Sequence, residues 1–545
     1  MAEQTDMRQP EVQEVPDEPA SALTRLREND HKASQRSPVP TSINSIDDDV
    51  LREIVFWAVI AHDPSWSSEI PVPMPGKTIH LRAGAMYRLA LVSRRFKETV
   101  YGHAILWANI AGLPKTVDGF NLVLQRSRRV PLTLVTNWWG ISEPQYDFAI
   151  KHMDRIGTLS AASDRDWHSF LSGRSAPALT ALYLEAVSSK SEAGVKLDSP
   201  ALDAPQLRFL YMRNSYIPIV APRLEELNLF QCAKLLSPAR LLDILSSTPH
   251  LRRLSLTSTL PPTRTNPKRW MSGEAGREIH LPCLEQLYLR YVRCDTVVKF
   301  MSHFVVPSEA GIEIALNVLE EVSQIQAVGQ ALRPFFSQPS YDSLRIREDS
   351  YMALSTRGSL ADSPLILLRG PSRVEHIFDY IKELAPFFLP RHITTLDLGL
   401  TCEARSYDGE KVQKALLRIA PSVQTLSVEV RERLELSFLT DELSWVKFPA
   451  LRTLKINWLD QVQKKGRGRK EWDGLRAWMK RVGAKQLETL YLDGWKHPDD
   501  NWCLARIKET LAEQKSKCEI VDERGEFHML IDYTPVFGPP RVFMA

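Results

Sequence analysis

Cysteine is scarce: six in 545 residues, at 232, 283, 294, 402, 503 and 518, with no Cys-x-x-Cys pair among them. A long chain with such scattered cysteines is not built on a disulfide framework, and the six read as reduced intracellular thiols. An excess of one charge is also lacking, since 69 Lys and Arg against 66 Asp and Glu leave a formal net charge of +3. A chain whose main partner is a nucleic acid or an anionic membrane surface carries a clear basic excess, so neither partner is expected. Long apolar runs are missing too. The longest, Ile54 to Ala61, is far short of the ~20 residues that cross a bilayer. The acidic, proline-containing start from Met1 to Ala20 has neither the basic start nor the apolar stretch of a signal peptide. These absences predict a soluble protein of the cytoplasm or nucleus.

Catalytic signatures are equally thin. There is no Gly-x-Ser-x-Gly, His-Glu-x-x-His or EF-hand loop, and Gly466 and Gly468 lack the third glycine of a dinucleotide fingerprint. Gly76-Lys77-Thr78 looks like the end of a phosphate-binding loop, but Pro71 stands where that loop needs its first glycine. Pro71, Pro73 and Pro75 also lack the amide hydrogens that cradle phosphate oxygens. His250, His280 and His303 approach Cys283 and Cys294 only at long spacings, which suits surface histidines and buried thiols better than a metal site. The chain therefore reads as a non-enzyme with no catalytic residue, metal or cofactor. The dense basic run Lys464-Lys465-Gly466-Arg467-Gly468-Arg469-Lys470 reads as a solvated loop, with a nuclear localisation patch or a contact for an acidic partner as the alternatives. Trp138-Trp139 reads as a cap on the core that follows it.

What is present is a globular composition, 43% hydrophobic and 25% charged, in a chain long enough for several domains. Residues 1–40 are rich in Pro, Glu, Gln, Ser and Arg and cannot bury enough apolar area to offset their ordering entropy, so they are expected to be disordered. From Thr41 the texture changes. Val50, Leu51, Ile54, Val55 and Ala58 recur at helical spacing, with Ser42 or Ser45 as a cap and Asp47-Asp48-Asp49 in the first turn, where negative charge suits the helix dipole. A proline-marked loop, Pro64 to Gly76, leads to a second helix with Tyr87, Leu89, Leu91, Val92 and Phe96 as its apolar set, then to Ile105–Ile110. Residues 41–112 thus form a small helical domain.

Beyond Pro131 a loose repeat sets in, Pro-x-Leu-x-x-Leu-x-Leu. It occurs at Pro177–Leu184, Pro205–Met212, Pro222–Leu229, Pro249–Leu256, Pro282–Leu289, Pro421–Val428 and Pro449–Ile456, and without the proline at Ile393–Leu398 and Leu487–Leu492. The first leucines at 179, 207, 224, 251 and 284 are separated by steps of 28, 17, 27 and 33. This spacing is that of leucine-rich repeats, in which one strand per turn stacks into a curved parallel sheet. Amphipathic segments at 240–245, 411–419 and 472–482 predict helices on the convex side, while the 17-residue step leaves room only for a turn. Between Val292 and Ile393 the pattern blurs, with Ser343–Ile346 and Pro364–Leu368 as degenerate strands and Arg373–Phe388 as a helix. The irregular solenoid spans 113–520. Residues 521–545, with Phe527, Tyr533, Phe537 and Phe543, are a tail expected to cap its open end.

Three segments carry a family resemblance. Ile43 to Ile54 resembles the start of an F-box, Leu89 to Phe96 its later Val-Cys-Arg-x-Trp stretch, and Leu106-Trp107 its closing Leu-Trp. Leu124-Gln125-Arg126-Ser127 followed by Pro131-Leu132-Thr133-Leu134 is similar to many basidiomycete F-box proteins, which also carry degenerate leucine-rich repeats. Asp47 stands where the family has Pro, Phe96 where it has Trp, and an insertion occupies about 61–82. The resemblance implies an α/β chain in which an all-helical F-box precedes an irregular leucine-rich-repeat solenoid. It also implies a role: substrate adaptor of a Skp–cullin–F-box ubiquitin ligase, with the F-box docked on the Skp-type subunit, and through it a cullin, while the repeats hold a target protein. The alternative is a repeat scaffold that never assembles into a ligase.

Two surfaces follow as candidates. For the Skp-type partner they are Ile43, Ile46, Val50, Leu51, Ile54, Leu89, Val92 and Phe96, each of which could instead pack the domain interior. For the target, strand alternation turns Leu182 and Leu184 inward and exposes Tyr183. The same rule exposes Tyr211, Arg213, Phe230, Tyr288, Arg290, Lys455 and Tyr491, together with Asn228, Ser255, Asp397 and Glu429. Tyr and Arg are favoured in binding hot spots, although Tyr also suits strands for its own sake.

Overall fold

A computed structural model of the chain describes residues 46–60, 75–135, 141–162, 167–186, 199–233, 235–260, 277–316, 323–347, 351–355, 366–369, 377–387, 392–399, 414–430, 448–458, 475–480, 486–496 and 500–526. Residues 1–40, Ser42, Ile43, Ser45, Trp138-Trp139, the basic run 464–470 and the tail from Phe527 onward lie outside these residues.

Helix α1 (Asp48–Ile60) is capped by Asp47. The Asp47 carboxylate accepts the Asp49 N–H and its carbonyl the Leu51 N–H, each at 2.8 Å, so the residue that departs from the family pattern satisfies the helix start. Helix α2 (Pro75–Ala90) opens on a proline, whose missing N–H has no helical partner to lose. Gly76-Lys77-Thr78 therefore lies in a helix and not in a loop. The single helix expected across Tyr87–Phe96 is two. α2 stops at Ala90, and Ser93 accepts the Phe96 N–H at 3.2 Å to start α3 (Arg94–Gly102). α4 (Ala104–Asn109) and α5 (Val117–Ser127, capped by Thr116) complete the run. α1 packs on α2 and α3 through Leu51, Val55, Val59, Met86, Phe96 and Val100, and this core continues without a break into that of the sheet. Arg95 clamps the start of α1, bonding the Asp48 carboxylate at 2.6 Å and the Ile46 carbonyl.

Among the described residues the rest is built on a seventeen-stranded sheet, beside two minor two-stranded ones. Strands β1 (Leu132–Val135), β2 (Ile156–Ala162), β3 (Ala181–Glu185), β4 (Phe209–Arg213), β5 (Glu226–Phe230), β6 (Arg253–Thr257), β7 (Gln286–Val292) and β8 (Gly311–Leu316) follow in chain order, each parallel to the last. The chain then makes β9 (Ser343–Arg347), β10 (Tyr351–Ser355) and β11 (Ile366–Arg369) and lays them down in reverse. β11 pairs with β8, β10 with β11, β9 with β10, and β12 (Thr395–Gly399) with β9. Only β10 runs antiparallel to its neighbours. β13 (Thr425–Val430), β14 (Thr453–Trp458), β15 (Thr489–Lys496) and β16 (Glu519–Asp522) resume the parallel order, and Gly525–Glu526 pairs with the end of β15.

The repeat has a physical basis at each end of its strand. Its proline occupies the second position of a tight turn, closed by Leu179 N–H to Ala176 O, Leu207 to Ala204, Leu224 to Ala221, Leu251 to Thr248 and Leu284 to Leu281 at 3.0–3.2 Å. The ring presets the φ that this position requires. One carbonyl then receives two successive N–H groups of the next repeat: Thr180 from Arg208 and Phe209, Arg208 from Glu225 and Glu226, Glu225 from Arg252 and Arg253. At the other end Asn214, Gln231, Ser258 and Tyr291 all adopt left-handed backbone, with φ of 50°, 56°, 49° and 53°. Four consecutive coils therefore turn out of the sheet in the same way without a glycine.

The inward leucines, among them Leu182, Leu184, Leu227, Leu229, Leu254, Leu256, Leu287 and Leu289, form the core. Helices α6 (Glu143–Lys151), α7 (Trp167–Leu171), α8 (Pro238–Ser246), α9 (Cys294–Met301), α10 (Ser323–Ala331), α11 (Arg333–Phe336), α12 (Ile377–Leu384) and α13 (Asp500–Glu513) lie between strands. α8 fills the core beside β5 with Leu241, Leu242 and Leu245. The short step from β4 to β5 has no helix, only the two-residue strand Ile219–Val220.

Candidate functional site

Parallel register sets the outward residues of successive strands side by side. One row runs Tyr183, Tyr211, Asn228, Ser255, Tyr288, Glu313 and a second Glu185, Arg213, Phe230, Thr257, Arg290, Ala315. Six of the eight residues expected on the target face thus gather on β3–β7. Lys455 and Tyr491 pair with each other on β14 and β15, with the Lys455 ammonium 5.2 Å from the ring centre. They lie seven and eight strand positions beyond β7, roughly 34–38 Å along the sheet at ~4.8 Å per strand. They form a separate patch.

The six are half-buried and mutually braced. The Tyr183 and Tyr211 rings are 6.4 Å apart and tilted by 36°. Arg213 sits 4.8 Å from the Phe230 ring centre and 3.0 Å from the Glu185 carboxylate. Arg290 lies 5.2 Å from the Tyr288 ring centre and donates to both oxygens of Glu313, at 2.9 and 3.1 Å. The Tyr288 hydroxyl donates to Gln286 Oε1 at 2.8 Å. Burial pushes the Tyr183 phenol up to about 12 and raises those of Tyr211 and Tyr288. These phenols keep their protons at neutral pH and offer flat apolar walls with polar tips, the chemistry of recognition. Phe209, two residues before Tyr211 on the same face, is 38% exposed and extends the aromatic set. Alternation along β4 marks it as readily as Tyr211.

Between the two patches, two outward residues are not available to a partner. Asp397 and Glu429 are buried, 7% and 4% exposed, where alternation alone predicts exposure. Asp397 accepts from Arg345 at 2.8 Å and Arg347 at 3.3 Å, and Arg347 also pairs with Glu429. The arginines lie over the carboxylates and close the surface.

At the helical front the candidates divide. Val50, Ile54 and Val92 are 52%, 44% and 60% exposed, whereas Leu89 and Ile46 are half-buried against the core. Leu51 and Phe96, expected at the surface, are core residues. The reason is helical phase: Leu51, Val55 and Val59 recur every four residues toward α2 and α3, and Val50, Ile54 and Trp57 line the solvent side. Trp57 is 57% exposed, with its indole N–H donating to Glu53 at 2.6 Å, and its i+7 spacing from Val50 was the signal for it. Tyr87 and Leu91, 58% and 85% exposed, flank the turn between α2 and α3.

Among the described residues no group of three or more His, Cys, Asp or Glu side chains is arranged to hold a metal ion, and no helix is long and apolar enough to cross a membrane. Cys232 and Cys294 are buried and Cys283 is exposed. No family model matches the sequence, and no curated protein does. Among solved structures the chain is similar to the leucine-rich repeat-containing protein LegL7 from Legionella pneumophila, at 17% identity and a TM-score of 0.28, over 56% of this chain and 85% of that one.

Proposed function

We propose that this protein is a non-catalytic interaction adaptor, whose helical front docks on the Skp-type subunit of a Skp–cullin–F-box ubiquitin ligase and whose uncovered sheet face holds a target protein. The observation that carries the reading is the outward apolar line Val50–Ile54–Trp57, on a helix whose inward line already fills the core. Apolar side chains left over once a core is complete are the usual signature of a partner site. Burying a side chain of this kind contributes about 1.5–3 kcal/mol. The resemblance of residues 43–54, 89–96 and 106–107 to an F-box supplies the kind of partner. Catalysis would be by proximity, since tethering raises the effective concentration of target lysines near the conjugating enzyme into the millimolar range.

A repeat scaffold without a ligase is the second reading, and the burial of Leu51 and Phe96 favours it, because two positions of the docking pattern are spent on the core. Co-purification of the intact chain with a purified Skp-type subunit separates the two. Capture supports the adaptor. No capture, where another F-box protein is captured in parallel, leaves the scaffold.

A further inference from the structure

The arginines of the sheet face and of its leading edge are already spoken for. Among the described residues on β3 to β8 and the turns that lead into them, five arginines each meet a different glutamate: Arg208 with Glu225 at 2.7 Å, Arg213 with Glu185 at 3.0 Å, Arg252 with Glu285 at 2.8 Å, Arg253 with Glu226 at 3.7 Å and Arg290 with Glu313 at 2.9 Å. Arg223, at the rim, donates to Gln206 at 2.6 Å. A phosphate or an acidic side chain arriving here would have to part an arginine from its carboxylate and then sit beside that carboxylate. Among the described residues of this face the arginines on the strands themselves are matched by carboxylates, and only Arg223, at the rim, is paired with a neutral side chain.

The face carries aromatic surface instead, as Tyr183, Phe209, Tyr211, Phe230 and Tyr288. Tyr183 and Tyr211 stand on adjacent strands, and Tyr288 lies three strands beyond Tyr211, about 14 Å away. Between them the row holds the short polar residues Asn228 and Ser255, a low floor between aromatic walls. An extended or polyproline chain advances ~3.1–3.4 Å per residue, so about four to five residues bridge the two walls.

From this geometry we infer that the β3–β7 face takes an unmodified, uncharged, extended segment of a partner protein, with two apolar or aromatic side chains four or five residues apart seated against Tyr183/Tyr211 and Tyr288. The inference rests on the reading that this face holds the target, and goes further by excluding a phosphorylated or acidic recognition element. Asn228 and Ser255 then meet the peptide groups between the anchors, while the Arg–Glu pairs hold the walls in place.

The test is a displayed library of random dodecapeptides selected on the full-length protein. Enriched peptides, resynthesised with a fluorophore, are then titrated against the wild type and two double variants. The expected enrichment is for paired apolar or aromatic residues at the stated spacing without a preference for Asp or Glu. Tyr211→Ala with Tyr288→Ala should weaken binding at least about tenfold, and Arg452→Gln with Glu488→Gln, an exposed pair far along the sheet, should hold it within about threefold. If the double tyrosine variant does not fold, each single substitution carries the same comparison. Enrichment of acidic peptides, tighter binding of a phosphoserine version, or a tenfold loss in the Arg452→Gln, Glu488→Gln variant overturns the inference alone. A library that enriches nothing overturns both the inference and the reading of this face as a target site, and leaves docking at the helical front to its own measurement.

Discussion

Leu51 and Ile54 stand one helical turn apart on α1, the first buried and the second exposed, so substitutions at the two separate folding from docking. Leu51 is fully buried between α1, α2 and α3. Truncation to Ala removes its contacts and leaves a cavity, a loss of about 2–5 kcal/mol, and an aspartate there would strand a charge in the core. Ile54 is 44% exposed, and with Val50 at 52% it touches the core little, so Ile54→Asp should change stability by no more than about 0.5 kcal/mol. If the outward line is the centre of a docking surface, the same Ile54→Asp change desolvates a charge against the partner and costs at least about 2 kcal/mol, roughly thirtyfold in Kd. The assay pairs urea unfolding followed by circular dichroism with a titration of the Skp-type subunit. Unaltered stability with a thirtyfold loss of affinity for Ile54→Asp, against a lowered urea midpoint for Leu51→Ala, is the expected pattern. Undiminished affinity in a Val50→Asp, Ile54→Asp double variant would refute the assignment of this line to the partner.

Three further outcomes follow from the sheet. Tyr291 holds left-handed backbone with its side chain 59% exposed, so Tyr291→Gly should raise stability by about 0.5–1 kcal/mol in urea unfolding, the relief of the αL cost less the extra entropy of glycine; a lowered midpoint would show the ring to be packed. Asp397→Ala should cost about 3–5 kcal/mol, because Arg345 and Arg347 lose their shared carboxylate in a buried setting, and a cost below about 1 kcal/mol would show the network to be solvated. Burial holds the Cys232 thiol at about 12 against an ordinary 9.0, and the Tyr183 phenol at about 12 against 10.0. Both groups keep their protons more tightly when folded, so their contribution is fully present below about pH 9 and is lost as pH rises toward 12. The urea midpoint should fall over that window, and fall less in Cys232→Ala; equal slopes would remove Cys232 from the account.

The coils were legible in the sequence because each carries two independent signals, a proline that presets the turn and leucines that alternate into the core. The register of β3–β7, and with it the meeting of Tyr183, Tyr211, Arg213, Phe230, Tyr288 and Arg290, follows from those signals alone. The positions of Ser343–Ile346 and Pro364–Leu368 were legible as strands, but their order in the sheet was not, since which strand lies beside which is set by long-range pairing that no local pattern encodes. Lys455 and Tyr491 share the chemistry of the main patch and were grouped with it for that reason, although the strands between hold them apart. In the helices, spacing identified two faces of α1 without saying which of them the rest of the chain would cover, and so Leu51 and Phe96 were placed outside. The break between α2 and α3 rests on one serine hydroxyl, a cap that an apolar pattern running through Tyr87–Phe96 conceals.

The reversed laying-down of β9, β10 and β11 restricts how this protein can change in length. In the series β3–β7 each coil meets only the one before and the one after, so a coil can be gained or lost there and the severed ends still find equivalent neighbours. Across 311–399 two of the pairings, β8 with β11 and β9 with β12, join strands that are not consecutive in the chain, and a deletion in that stretch orphans two rungs at once. Growth and shrinkage belong to the flanks, and the middle behaves as a keystone whose size is fixed.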